Sequence, residues 1–410
     1  MMNNRYVEKM TRLDHAISLN EPDRVPFAPK LSLFYCTAYG ISTYDVMKDY
    51  RLAKPGIKAY VDDFDPDLVW PPAVYPIDPL EALGTTMLRW PGPTHNLSLN
   101  SSFQHLDNTY LYDDEFNEFL NDPTAFLINK VLPRKHSQLQ GLAKVRFNEI
   151  YDMSFVMSLA PFADPEVVET LMTLVHAGKH VKDRIIQAGS VNDFIVNDCG
   201  CPVRGTTMCA PFDTYADSLR GFVQAVIDIS EFPDESLACV ERIADLYLDR
   251  DIAIAASRGE KFIFIPLHAG MDDFMSPANY EKFYWPTLKR MINGIVKAGM
   301  VPYVFCEGKY NTRLEIISDV PKGKVFYMFE QVDIKRAKDT VGKVACIGGN
   351  MPTTLLINGT KEQVTDAARR MLEICAPGGG FIMDDSIIID NASMANMMAW
   401  REATLKYGNY

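Results

Sequence analysis

The 410-residue chain has little cysteine: eight thiols are too few for a disulfide framework at this length. In a reducing compartment they are core residues, metal ligands or nucleophiles. Cys36, Cys239, Cys346 and Cys375 stand in apolar or helical surroundings and read as core. Positive charge is also short, with 41 Lys and Arg against 53 Asp and Glu, a net −12. A dominant nucleic-acid or anionic-membrane surface is thereby excluded, because phosphate binding needs a basic field. No apolar run reaches the ~18 residues of a membrane span; Phe262 to Leu267 is strand-length. The opening residues carry charges throughout and lack a signal-peptide apolar core, so a cytoplasmic protein is expected. There is no internal repeat and no G-x-G-x-x-G fingerprint. Gly348-Gly349-Asn350 follows a strand without that spacing and reads as a close backbone approach.

What is present is core material, 47% of the chain being hydrophobic, enough for a large folded unit. Residues 1–60 read as a helical segment followed by a first strand, Arg24 to Pro29. Residues 76–140, rich in Asn, Asp, Pro and aromatics, read as an irregular elaboration. From residue 150 to 410 short apolar strands alternate with helices of ten to twenty residues. Helices are expected over Pro165–Ala188, Ser236–Arg258, Pro277–Lys297, Lys361–Cys375 and Ala392–Tyr407, and a strand over Phe194–Val196. Helix follows strand in unbroken order, which predicts an α/β (β/α)8 barrel, 1–410 as one domain, rather than a doubly wound sheet. In such a barrel the chemistry sits where each strand's C-terminal end meets its loop.

Five strand ends carry acid, thiol or imidazole groups: Asp198 and Cys199, His268, Cys306 and Glu307, Glu330, then Asp384 and Asp385. Their convergence on one mouth predicts a polar site. Asp384 and Asp385 read equally as helix caps or ion-pair partners. Lys309, Tyr310, Asn311 and Arg313 follow Glu307 and either anchor an anionic group or cap the next helix. Cys199-Gly200-Cys201 has the wrong spacing for a C-x-x-C motif, and two thiolates alone make no closed metal site.

Four stretches together carry a resemblance. They are Ile17 to Phe27 (ISLNEPDRVPF), Ala210 to Gly221 (APFDTYADSLRG), Ile347 to Thr360 (IGGNMPTTLLINGT) and Gly378 to Met383 (GGGFIM). The sequence resembles the uroporphyrinogen decarboxylase superfamily over nearly its whole length, which implies a (β/α)8 barrel. The superfamily contains decarboxylases and corrinoid-dependent methyltransferases. The decarboxylase branch carries paired arginines after its first strand; here Arg24 to Gly40 lacks them, and an octacarboxylate needs concentrated positive charge.

Zinc-dependent members carry His-x-Cys-Gly and a distant cysteine. At the matching positions stand Phe305, Cys306, Glu307 and Gly308, with Ile387 near the distant cysteine. Two readings stay open: zinc held by Glu307 with His268 or Cys306, or no metal. The stretch Phe305 to Ile317 looks like the O-demethylase methyltransferases, which act on aryl methyl ethers. The resemblance then implies methyl transfer to cob(I)alamin. No D-x-H-x-x-G corrinoid motif occurs, so the cobalamin is expected on a partner corrinoid protein docked over the mouth, framed by residues 76–140. Glu307 is expected as acid or metal ligand, with His268 and Glu330 as helpers. Lys309, Arg313, Asn350, Asp198 and Asp384 are expected at the substrate. The alternatives are a uroporphyrinogen decarboxylase or related carboxy-lyase, and a non-catalytic tetrapyrrole-binding module.

Overall fold

The computed structural model describes residues 4–146 and 156–410. The start of the expected βα region, at residue 150, lies outside the described residues. The chain opens with helix α1 (Asn4–Ile17), which turns Leu13, Ala16 and Ile17 inward at helical spacing. These side chains join the inner barrel core with Leu68, Phe262 and Phe326. Helix α1 therefore plugs the bottom of the barrel. Asp67 clasps this end, accepting from Arg12 Nη1 at 2.6 Å, Arg24 Nη1 at 2.7 Å and the Phe27 amide at 2.8 Å.

The wall has eight parallel staves. Five form a continuous sheet, β3 to β7, following a small antiparallel pair, β1 (Leu88–Arg89) and β2 (Gln104–His105), in the elaboration. They are β3 (Phe262–Leu267), β4 (Val301–Lys309), β5 (Phe326–Gln331), β6 (Cys346–Gly348) and β7 (Phe381–Ile382), paired in chain order. Three extended segments close the circle through isolated bridges. Residues 24–31 pair with the end of β7 through Phe27 and Met383. Residues 67–70 receive the next segment through Val69 and Val203, and residues 201–208 meet β3 through Thr207 and Phe264. The Asp67 amide donates to the Phe27 carbonyl at 2.8 Å, joining the first two. The architecture is the (β/α)8 barrel, seamed by strands too short to need long ladders.

Alternation along β4 shows how both faces are filled. Tyr303 and Phe305 pack inside the barrel, whereas Val304 and Cys306 pack outward against the helical layer. Both faces are buried, so the strand reads as an unbroken apolar run. The surrounding helices include α2 (Pro165–Asp193), α3 (Pro211–Tyr215), α4 (Pro233–Ser257), α5 (Trp285–Lys297), α6 (Lys361–Cys375) and α7 (Met394–Tyr407). Among the described residues no helix is long and apolar enough to cross a membrane.

Two expectations are corrected. Phe194–Asp198 is not a strand but the wide last turn of α2; three apolar residues continue the helix because nothing breaks it before Gly200, whose φ is +64°. The region 76–140, expected to be irregular, holds short helices such as Ile77–Ala82 and Phe116–Asn121 as well as the antiparallel pair. It is inserted after residues 67–70, so it springs from the same end of the barrel as the strand C-termini.

Candidate active site

The core of the site is an imidazole between carboxylates. His268 follows β3 directly, and its Nδ1 lies 2.6 Å from Asp217 Oδ2. Its Nε2 lies 3.9 Å from Glu307 Oε2. Asp217 stands in the turn Ala216–Arg220 that continues α3, four residues after Asp213. Spacing of four places both carboxylates on one helix face. Asp213 is fully buried and accepts from the His268 amide at 3.2 Å, the Ala269 amide at 2.9 Å and the Tyr284 hydroxyl at 2.6 Å. One short helix thus fixes both the backbone and the ring of His268.

Glu307 owes its position to a bulge. The β4–β5 register is regular up to Cys306 opposite Phe329 and then shifts before Lys309 reaches Gln331. Such irregularities re-aim side chains beside active sites. Gly308 makes the bulge feasible: its φ is +75°, and an added Cβ would lie 2.7 Å from Met271 Sδ. Its amide donates to Glu330 Oε2 at 2.6 Å, so the Glu330 carboxylate braces the turn that carries Glu307.

The electrostatics follow from this enclosure. Burial opposes the charge on His268, but the hydrogen bond to Asp217 and the fields of Asp213 and Glu307 outweigh it and lift the imidazole to about 10. Burial raises Glu307 to about 7, and the neighbouring acids Asp213, Glu330 and Asp217 add to the rise while His268 resists it. Burial likewise raises Asp213 to about 6. At neutral pH the mouth therefore holds an imidazolium beside a carboxyl that is poised to give or take a proton.

The other expected residues lie as follows. Lys309 is exposed at the rim, its Nζ 3.1 Å from Asp273 Oδ2. Asn350 donates from Nδ2 to the Val332 carbonyl at 3.1 Å, beyond Gly349, whose added Cβ would collide with the Phe329 carbonyl oxygen. The expected close backbone approach is there. Arg313, expected at the substrate, is instead fully buried, with its donors spent on the carbonyls of Gly270, Met271 and Met275 and on Thr312. Asp384 and Asp385 are ion-pair partners, 2.7 and 2.9 Å from Lys30 Nζ inside the barrel. Asp198 is exposed at the end of α2, before the segment 201–208 begins. It therefore lies at the bottom of the barrel, away from His268, because the strand it was expected to terminate is helix.

Sequence reasoning missed Asp213 and Asp217, which come from a helix and not from a strand end. The i, i+4 acids in Ala210–Gly221 were the available signal. It also missed His105 from the elaboration, packed edge-on against Phe103 at 5.5 Å and Tyr75 at 6.0 Å. Burial lowers His105, and His268 adds to the fall while Asp217 resists it. The elaboration thus reaches the mouth. A cavity of about 850 Å³ lies elsewhere, between residues 119–135 and α4, and takes in none of His268, Glu307 or Glu330.

The residues do not fit a zinc centre. His268 Nε2 and the Glu307 carboxylate face one another, but Cys306 belongs to the outer core. Among the described residues no three histidine, cysteine or acidic side chains converge as metal ligands. A catalytic zinc needs three protein ligands and an open position.

Comparison with known proteins adds the ancestry. Residues 200–406 match the family described as uroporphyrinogen decarboxylase (URO-D). A methylcobamide:CoM methyltransferase, MtbA, of Methanosarcina acetivorans is 26% identical over 128 residues, 31% of this chain and 37% of that protein. A uroporphyrinogen decarboxylase of Geobacter sp. strain M21 is 28% identical over 155 residues, 37% of this chain and 43% of that protein. The chain thus spans less than half the length of these curated relatives. A methyltransferase from Methanosarcina mazei superposes with a TM-score of 0.64 over 97% of this chain and 98% of its own at 15% identity, a likeness of fold. Half the chain matching one family, on the same barrel, establishes that the protein belongs to the uroporphyrinogen decarboxylase family.

Proposed function

We propose that the chain is a methyltransferase that moves a methyl group from a small methylated donor, an aryl methyl ether, to cob(I)alamin on a partner corrinoid protein. The observation that carries this reading is the Glu307–His268 pair: an acid raised to about 7 facing an imidazolium fixed by Asp217. The corrinoid, when its carrier docks, supplies the nucleophile. What remains for this chain is to orient the ether and meet the oxygen that leaves. A phenol has a pKa of about 10, so its oxygen leaves more readily with a proton. As the methyl–oxygen bond breaks, Glu307 gives its proton to that oxygen, and the His268 imidazolium stabilises the carboxylate left behind. Glu330 holds the bulge through Gly308. The elaboration, reaching the mouth with His105, frames the surface on which the corrinoid protein docks.

A carboxy-lyase acting on an octacarboxylate is the competing reading. The charge at the mouth weighs against it. Lys309 is paired with Asp273, Lys30 with Asp384 and Asp385, and Arg313 is buried in carbonyls. The groups gathered around His268 are acids, which repel a polyanion.

The test is direct. Protein mixed with chemically reduced cobalamin and a panel of methoxylated aromatics is expected to replace the cob(I)alamin spectrum with that of methylcobalamin. No change with any donor would sink the reading, and conversion of uroporphyrinogen to coproporphyrinogen would favour the lyase.

A further inference from the structure

Helix α2 carries two histidines one turn apart, His176 and His180, on the face that Glu169 and Thr173 share by helical spacing. Their Nε2 atoms lie 3.2 Å apart, with the ring planes at 83°. The other nitrogen of His180, Nδ1, stands 3.6 Å from Asp78 Oδ2. Asp78 belongs to the helix Ile77–Ala82, the first of the elaboration, and Lys48 holds its second oxygen at 2.7 Å. The two histidines, Asp78, Glu81, Glu169 and Met172 wall one groove between these helices. None of the mouth residues lines it, and methyl transfer makes no use of it.

Two imidazole nitrogens this close cannot both present lone pairs unless something positive lies between them. In the metal-free pair a proton does so, one ring donating to the other. A metal ion meets the same requirement. Metal–imidazole bonds of about 2.0–2.1 Å set neighbouring ligands roughly 2.9 Å apart at a right angle and roughly 3.3 Å apart at the tetrahedral angle. The observed 3.2 Å falls between these limits. Asp78 favours the proton on Nδ1 of His180 and so leaves Nε2 bare, the way carboxylates hold metal-binding histidines. Among the described residues the groove wall carries three carboxylates and no lysine or arginine, a field that draws cations. No third histidine, cysteine or acidic side chain converges with the pair among those residues, so the remaining coordination positions fall to solvent.

We propose that His176 and His180 form a two-nitrogen site for a late first-row divalent metal ion. Imidazole nitrogen selects such ions over magnesium and calcium, which prefer oxygen, and affinity at one nitrogen site rises from manganese to nickel. The chelate spans one turn of α2 and, through Asp78, ties that helix to the first helix of the elaboration. Two protein ligands make a reversible site and not a folding centre: the barrel closes without it, and the ion adds stability in proportion to its occupancy. The site shares no residue with the mouth, so it stands or falls independently of the chemistry there.

Calorimetric titration of the full chain, free of any histidine tag, with nickel(II), manganese(II) and magnesium tests it. Nickel is expected to bind at least about tenfold more tightly than manganese, with magnesium weaker still. His176→Ala and His180→Ala, their folds checked by circular dichroism, are each expected to weaken nickel binding by at least about tenfold. Nickel is expected to raise the Tm of the wild type and to leave that of either variant unmoved. As a paramagnetic ion it is also expected to broaden the imidazole signals of His176 and His180 before those of the other histidines. Nickel affinity unchanged in either variant would place the ion elsewhere and overturn the proposal. Absence of nickel binding, or a preference for magnesium, would overturn it as well.

Discussion

At the scale of single residues, function depends on how the barrel prices a proton. Glu307 sits near 7 because burial disfavours its charge, and His268 sits near 10 because Asp217 holds its ring. Replacing Asp217 by Asn should therefore lower the His268 titration midpoint, read by NMR of the imidazole; an unmoved midpoint would mean that Asp213 and Glu307 suffice. The Glu307 value lies above that of an unfolded glutamate. Its stabilising contribution is complete below the unfolded value near 4.5 and is lost as pH rises through about 7. Glu307→Gln should accordingly gain in Tm relative to wild type between pH 6 and pH 8, and a gap that stays constant across that window would refute the raised value. Lys30→Met would leave two carboxylates enclosed without their ammonium, an expected loss of about 3–5 kcal/mol in denaturant titrations. Of these residues, His268, Glu307 and Glu330 were legible because strand ends advertise themselves in an alternating pattern. Asp213 and Asp217 were not: two acids on a helix look like ordinary surface charge until the fold encloses them.

At the scale of elements, the barrel wall is legible where strands are long and apolar and illegible where they are brief. The strands from Phe262 onward announce themselves by their runs, and the first of them is observed over Phe262–Leu267, the run read from the sequence. The segments 67–70 and 201–208 carry few apolar residues in a row and hold their neighbours by isolated bridges. Phe194–Val196 has the composition of a strand but inherits helical phase from α2. No local signal separates those cases; the ring of eight staves decides them. The bulge at Glu307–Gly308 is likewise a tertiary device. Gly308→Ala should strain a backbone at φ +75° and press on Met271, costing about 1 kcal/mol or more. Methyl transfer should fall more steeply than stability, because Glu307 is displaced. Equal activity at reduced stability would show that the bulge serves packing alone.

At the scale of the whole molecule, the chain closes on itself. Residues 24–31 meet the end of β7, and Lys30 finds its aspartates there. A chain ending before Gly378 should lose cooperative unfolding by circular dichroism, and a cooperative transition in that truncation would contradict closure as the organising feature. The net charge of −12 keeps polyanions at a distance. The central claim is that a carboxyl poised near neutrality completes methyl transfer at this mouth. It is tested most directly by the single-turnover rate of methyl transfer from 4-methoxybenzoate to cob(I)alamin across pH 6 to 9, for the wild type and Glu307→Gln. The account predicts a wild-type rate that falls as pH rises through about 7 and a variant that is slow and flat over the same range. No transfer at any pH, or the same falling limb in the variant, would contradict it.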